Sequence, residues 1–379
     1  MLDTPISMES FQVLTIATLL FLVNLTAYLI EIKTKSRDSR MANFITASGI
    51  ALMINSVVTL DDFAITSFAN MLNFEVPEMG TTWPTLALGI ALVIFGFAWR
   101  KVLTDRIYVF NMLGHTQREI SNTEAVKELG IADFKLKEQV VNINPMLQFG
   151  EMNEIKCEII CGYLELEAAK FINRTEGRNS CFTGMASIPF TVFVGTLMAD
   201  GRINRYFEFN RHNGERFYRL KRPQPWHFKK FQKWKGLNIS YSDCINDDVT
   251  EVVLAVSVST PILDVDLEQF EGLDVVRIDL EGLKDNAITH MAQLQEYKRQ
   301  INDCLGGGLK EKYPKLQLVH LVAAIPSCLS VEIGKSIGMG TNRFANIVVY
   351  HYTATSTPRY KFGVCVNGDR KGSLIQPGR

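Results

Sequence analysis

The stretch KLQLVHLVAAIPSCLSVEIGKSIGMGTNRFANIVVYHY, Lys315 to Tyr352, decides the fold. Leu316 to Ala324 is a near-continuous apolar run, the mark of a strand buried on both faces of a parallel sheet. It stops at Ile325-Pro326-Ser327. The residues from about Cys328 to Ile337 then read as a helix ending at Gly338, and Ile347 to Tyr350 as the next strand. A turn at Pro326-Ser327 falls at the carboxyl edge of such a sheet. Open α/β folds bind ligands there, and the free N–H groups of a helix start suit phosphate. His320, in mid-strand, reads as a core histidine with satisfied ring nitrogens.

Upstream, Thr250 to Val258 and Val275 to Leu280 read as further strands. Asp285 to Cys304 carries Ile288, Met291, Leu294, Tyr297 and Ile301 at helical spacing, and Gly306-Gly307-Gly308 is expected to end that helix. The glycine triplet follows a helix, whereas a phosphate loop follows a strand, so it is not one. The order strand, helix, strand, helix, strand predicts a parallel, Rossmann-like sheet. Two turns then share one sheet edge, Ser257-Val258-Ser259-Thr260-Pro261 and Ala324-Ile325-Pro326-Ser327. Small hydroxyl side chains there let a flat, phosphorylated ligand approach the backbone. The candidate contacts are Ser257, Ser259, Thr260, Pro326, Ser327, Ser330 and Lys335. Ser257 can equally end a strand, and Ser327 can cap a helix.

In the preceding part, residues 101–150 read as a helical connector, with a helix start at Ser121-Asn122-Thr123-Glu124 and a stop at Gly130. Residues 151–172 read as another helix. Pro189 to Leu197 (PFTVFVGTL) is a β-rich run, and Arg202–Phe209 with Glu215–Leu220 form a hairpin through Asn213-Gly214. From Arg202 to Lys235 there are eleven Lys/Arg and two Asp/Glu, interleaved with aromatics such as Tyr206, Phe217 and Trp226. Such a stretch neutralises phosphates and stacks bases, or else rests as a basic face on anionic lipid. Thr196, Arg205 and Trp226 are the candidate ligand contacts of this half.

The first hundred residues differ in kind. Phe11 to Ile30 is twenty residues without a charge, enough to cross the roughly 30 Å bilayer core. Asp3 and Glu9 precede it, against a signal peptide. Pro84 to Trp99 is a second run, bracketed by Trp83 and Trp99 as an aromatic belt would be. Phe44 to Leu60 is uncharged but carries Thr46, Ser48, Asn55 and Ser56; it reads as a span with those groups facing other helices, or as an interfacial helix. Lys33, Lys35, Arg37 and Arg40 follow the first run, and Arg100, Lys101 and Arg106 follow the last. Residues 61–83 hold Asp61, Asp62, Glu75 and Glu78 and no cation. The positive-inside rule is met by three spans, N-terminus outside, with the large C-terminal part cytoplasmic. The absence of ionisable groups from all three runs argues against a pump.

The net charge of the whole is zero, and seven cysteines are scattered, from Cys157 to Cys365. An odd, sparse set is no secreted disulfide framework. Cys157 and Cys161, without a second pair or a histidine cluster, read as buried thiols rather than a zinc site.

An apolar strand with His320, then Ala-x-Pro-Ser, a short helix ending in glycine and a strand ending in Tyr350 resembles the SAVED domain. Val252 to Thr260 (VVLAVSVST) resembles an earlier strand of that family. The resemblance is best over about 250–366 and extends over 150–249. It implies N-terminal transmembrane α-helices (about 11–30, 44–60 and 84–99) followed by an α/β Rossmann-like sensor built of two CARF-like halves, 151–248 and 249–379. It implies a cyclic oligonucleotide ligand, a cyclic di-, tri- or tetranucleotide made by a partner nucleotidyltransferase, with no further cofactor and no DNA or RNA. It also implies assembly into a homo-oligomer on binding, disruption of the bacterial inner membrane and abortive infection, as in CBASS antiphage defence. No His-Glu-x-x-His or phosphate-loop motif is present, so the expectation is a non-enzymatic sensor. The competing readings are a membrane-tethered enzyme that cleaves a cyclic nucleotide, and a non-signalling membrane anchor.

Overall fold

A computed structural model describes residues 39–58, 83–114, 120, 122–130, 136–148, 150–175, 179–199, 203–210, 216–222, 234–242, 248–340 and 343–376. The chain divides into two compact units, Met1–Arg106 and Ile107–Arg379.

The described part of the first unit is two helices packed together, α1 (Ser39–Val58) and α2 (Trp83–Thr104). They meet on small residues. A Cβ added to Gly49 would lie 2.7 Å from the Gly89 carbonyl oxygen, and one added to Gly96 would lie 2.1 Å from the Thr46 hydroxyl. Thr46 Oγ1 donates to the Ala42 carbonyl at 2.9 Å, so its polar group is satisfied inside its own helix. Leu88, Ile94, Phe95 and Phe97 are at least half exposed. Small residues between helices and large apolar ones outside is how helices associate in lipid. Among the described residues, Pro84–Leu103 is the one helix long and apolar enough to cross a bilayer, and Met41–Met53 is a shorter apolar helix. The run at 11–30 lies outside the described residues, and that at 44–60 is described as far as Val58.

The second unit is built on two sheets. The first has the order β2-β1-β3-β4-β5: β1 (Ile107–Leu113), β2 (Leu136–Asn142), β3 (Asn179–Met185) and β4 (Ile203–Asn210) are parallel, and β5 (Arg216–Arg219) closes the edge antiparallel to β4. The second has the order β12-β11-β10-β9-β7-β8-β6. Its parallel centre is β7 (Glu251–Ser257), β8 (Asp274–Leu280), β9 (Leu318–Ala324) and β10 (Asn346–Tyr352). β6 (Leu237–Ser240), β11 (Tyr360–Cys365) and β12 (Leu374–Ile375) add antiparallel edges.

Helices connect these strands: α3 (Asn122–Leu129), α4 (Asn144–Gln148), α5 (Glu154–Thr175), α6 (Ile188–Leu197), α7 (Met291–Asp303), α8 (Leu309–Lys312) and α9 (Ser327–Met339). One apolar core runs through both halves, from Phe110, Phe171 and Phe182 to Leu254, Leu321 and Val349. The seam between the halves is α6 against α9. A Cβ on Gly195 would sit 2.4 Å from the Val331 carbonyl oxygen, and one on Gly334 would sit 2.1 Å from that of Val192. The two helix backbones are thus in direct contact, which only glycine permits.

Three sequence expectations are corrected. Residues 107–113 and 136–142 of the expected helical connector are strands of the first sheet, β1 lying between β2 and β3. Every residue of β1 is buried, and a strand covered on both faces leaves no period to read. Pro189–Leu197, expected as a strand, lies in helix α6. It is buried on nearly every side, so again no apolar stripe stands out; its Pro in the first turn is the helix-start signal that composition masked. Gly306-Gly307-Gly308 does not end its helix: Cys304–Gly308 forms a π turn that leads into α8, and a Cβ on Gly306 would lie 2.6 Å from Arg343 Nε. By contrast, the strands at 250–258, 275–280 and 316–324, the helix start near Asn122 and the β4–β5 pairing agree with the sequence reading. The connecting Asn213-Gly214 lies outside the described residues.

Candidate functional site

β7 and β9 are neighbours in register, Ser257 opposite Ala324, so their carboxyl ends turn side by side. The Ala324 carbonyl accepts the Val258 and Ser259 amides at 3.0 and 2.9 Å, which ties the two turns into one rim. Ser257 is buried, and its Oγ accepts the Ile262 amide at 3.3 Å, shaping the loop from beneath. Beyond β9, Pro326 caps α9 in an extended conformation and its carbonyl accepts the Leu329 and Ser330 amides, both at 3.1 Å.

The first half brings the same construction to the same place. β3 ends at Met185, Ser187 is the N-cap of α6, and its carbonyl accepts the Thr191 amide at 3.1 Å and the Thr191 hydroxyl at 3.0 Å. Two strand–turn–helix units, one from each half, therefore open on one cleft of about 400 Å³. Its lining includes Ala186, Ser187 and Thr191 from the first half and Ser259, Thr260, Pro326, Ser327 and Ser330 from the second. His351, Tyr352 and Tyr360 form an aromatic wall, and Glu208, Asp266 and Asp285 supply carboxylates. Among the described lining residues there is no lysine or arginine.

Glu208 belongs to β4 but reaches the second half. Its Oε1 accepts the Ser327 hydroxyl at 3.0 Å and the Cys328 amide, so a carboxylate already sits on the N-terminus of α9. Burial pushes the Glu208 carboxyl above the usual range, against the lowering by its hydrogen bonds from Cys328 and Ser327. Two residues back on the same face of β4, the Tyr206 hydroxyl donates to Glu332 of α9. Glu332 also takes Lys298 Nζ at 2.6 Å and Lys335 Nζ at 2.7 Å. Burial opposes ionisation of Glu332, but Lys335 and Lys298 outweigh it and hold the carboxyl down at about 2. One strand face thus grips α9 at its start and again one turn on.

Of the residues expected at the site, Ser259, Thr260, Pro326, Ser327 and Ser330 line the cleft. Ser257 is beneath it. Lys335 is in the buried charge cluster behind it, Thr196 donates to the Phe193 carbonyl at 2.8 Å deep in α6, and Arg205 lies among Cys181, Arg219 and Arg222 on β4. None of these four lines the cleft. Trp226 is outside the described residues. Sequence reasoning missed Ser187, Thr191 and Glu208. The first two carried a signal, a serine two residues before a proline at a helix start; Glu208 carried none. His320 has both ring nitrogens partnered, Nδ1 2.9 Å from the Tyr350 hydroxyl and Nε2 3.0 Å from Glu251.

Two Rossmann-like halves that present paired strand-end turns to a shared cleft define a two-lobed α/β domain with its cavity where such folds take ligands. The particular family follows from comparison: the model of the SAVED family, "SMODS-associated and fused to various effectors sensor domain", matches residues 165–366, more than half of the chain. The protein belongs to the SAVED family. Similar solved structures include the Acinetobacter baumannii Cap4 SAVED/CARF-domain containing receptor with the cyclic trinucleotide 2′3′3′-cAAA, at 14% identity and a TM-score of 0.45, covering 88% of this chain and 67% of that one. The same receptor with 3′3′3′-cAAA matches at 13% identity and a TM-score of 0.41, covering 96% and 77%. The Moraxella osloensis Cap4 receptor matches at 12% identity and a TM-score of 0.40, covering 85% and 76%. No curated protein matches the chain.

Proposed function

We propose that the cleft binds a cyclic oligonucleotide and that this binding controls the helices of the first unit at a membrane. The observation that carries the reading is the pairing of two strand-end turns, Met185–Ile188 and Ala324–Ser327, on one cavity. A ring ligand with repeated sugars, phosphates and bases is matched by two repeated turns. The cavity has a volume suited to a small molecule, its tyrosines offer faces for base stacking, and its family is that of a sensor domain. The small-inside, large-outside packing of α1 and α2 supports a lipid setting for the first unit.

In this reading the protein is a multi-pass protein of the bacterial inner membrane with its sensor in the cytoplasm. It takes its ligand from a partner nucleotidyltransferase, assembles into a homo-oligomer on binding and perturbs the bilayer, ending in abortive infection. It catalyses no reaction. The test is mass photometry of the full chain in detergent against a panel of cyclic di-, tri- and tetranucleotides, beginning with 2′3′3′-cAAA and 3′3′3′-cAAA. A ligand-dependent rise in mass is expected. A folded protein whose mass and thermal midpoint ignore the whole panel would sink the reading, and recovery of linearised ligand would turn it into an enzyme.

A further inference from the structure

The cleft contains two helix N-termini, and they are not alike. That of α9 is filled: the Glu208 carboxylate accepts from the Ser327 hydroxyl and the Cys328 amide, the two donors an incoming anion would use. That of α6 is open. Its N-cap Ser187 makes no side-chain cap hydrogen bond. Pro189, in the first turn, has no N–H to offer, and helix geometry leaves the Ile188 and Phe190 amides without an intrahelical acceptor. The Ser187 Oγ has no partner although the residue is only 2% exposed, and it lines the cleft. A buried hydroxyl without a partner is uncommon enough in native structures to call for an explanation.

The charge of the cleft sharpens the contrast. Glu208, Asp266 and Asp285 line it, with no lysine or arginine among the described lining residues. A phosphodiester entering this cavity is repelled by carboxylates wherever no donors face it. The start of α6 supplies those donors, a dipole of the right sign and the unpaired hydroxyl, all at one point.

We infer that a phosphodiester of the cleft's ligand seats on the N-terminus of α6, held by the Ser187 hydroxyl with the Ile188 and Phe190 amides, and that Glu208 keeps phosphate off the N-terminus of α9. The inference rests on the cyclic-oligonucleotide reading only for the source of the phosphodiester; the donor site itself is a property of this chain. It moves the anion subsite from the Pro326-Ser327 turn, where the sequence suggested it, to the matching turn of the other half.

The test uses the full chain in detergent and the variants Ser187→Ala and Ser327→Ala. Calorimetry with 3′3′3′-cAAA, or with whichever panel member binds the wild type, should show Ser187→Ala weaker by about tenfold or more, the worth of a hydrogen bond to a charged group. Its thermal midpoint without ligand should be unchanged or higher, since the variant removes an unpaired hydroxyl. Ser327→Ala, whose hydroxyl is already taken by Glu208, should weaken binding less than Ser187→Ala does, and an equal or larger loss would overturn the inference. A Ser187→Ala protein that loses thermal stability and keeps its affinity would make Ser187 a structural residue and overturn the inference. If the wild type binds no cyclic oligonucleotide, the function reading fails, and the subsite is judged separately with inorganic phosphate. Millimolar phosphate, against chloride at equal ionic strength, should then raise the wild-type midpoint and not that of Ser187→Ala. Equal responses of the two proteins would overturn it.

Discussion

Glu208 joins the two halves through a single carboxylate, and its chemistry fixes two expectations. Its folded-state value is raised by burial. Below the usual carboxylate range it is protonated folded or unfolded, and its favourable contribution is complete. As pH rises, the unfolded chain ionises first, so stability falls until pH has passed the raised folded value. Glu208→Gln keeps an acceptor for Ser327 and Cys328 and removes the titration. The variant should therefore be as stable as wild type or more so at neutral pH, with a flatter pH dependence of the urea midpoint. A wild-type slope that survives in Glu208→Gln would show that another group carries it. Glu208→Ala, which strands both donors, should cost about 1–3 kcal/mol. The opposite sign holds at Glu332, whose carboxyl is held at about 2. Its stabilisation is complete above the ordinary carboxylate value and is lost as pH falls toward 2. Because two ammonium groups share this one carboxylate, Lys335→Met leaves a pair behind. Glu332→Gln leaves two buried cations without an anion, and should lose the larger amount, on the order of 3–5 kcal/mol. Neither partnership was legible in the sequence: Glu208 and Ser327 are 119 positions apart, and Tyr206 and Glu332 are 126 apart.

At the scale of elements, what was legible is what has a period or a punctuation mark. β7, β8, β9 and α9 showed in the sequence because their apolar runs are bounded by Ser-Thr-Pro, Pro-Ser and glycine. β1 and α6 did not, because a wholly buried element has no polar face to mark its period, and the β-branched composition of α6 reads as a strand. The consequence was more than a wrong label: α6 is the partner of α9 across the seam, and its start is half of the cleft. The glycines of that seam permit a sharp test. Gly334→Ala would put a Cβ 2.1 Å from the Val192 carbonyl oxygen, which belongs to backbone and cannot swing aside. The two helices must part, at about 1–3 kcal/mol, and both turns move with them, so ligand affinity should fall together with the thermal midpoint. Gly162→Ala, in the middle of α5 with nothing within 4 Å, should instead stabilise by about 0.5–1 kcal/mol through helix propensity and leave affinity unchanged. Equal effects at the two positions would mean that close packing of α6 on α9 does not hold the halves together.

For the whole molecule, the division at Arg106/Ile107 makes a claim about where the sensor begins. Residues 101–150 read in the sequence as a helical connector, and a sensor cut on that reading would begin at residue 151. The structure places β1 and β2 inside that interval, β1 paired along its whole length with both β2 and β3. Removing them would uncover β3 along its full edge and take Phe110, Met112 and Val141 out of the shared core, baring Phe171 and Phe182 that pack on Phe110, an open, apolar edge of the kind that aggregates. A chain spanning 107–379 retains every strand of both sheets, the α6–α9 seam and all described residues lining the cleft. It should be soluble without detergent, unfold in one cooperative transition and bind the same cyclic oligonucleotide as the full chain with an affinity within about threefold, since all the cleft donors are present. It should release no dye from anionic lipid vesicles, whereas the full chain with ligand should. A chain spanning 151–379 should be recovered aggregated or without a cooperative transition. If instead 151–379 folds and binds as well as 107–379, then β1 and β2 belong to the output side of the molecule and not to its sensor. If 107–379 itself leaks vesicles, the membrane activity does not reside in the N-terminal helices.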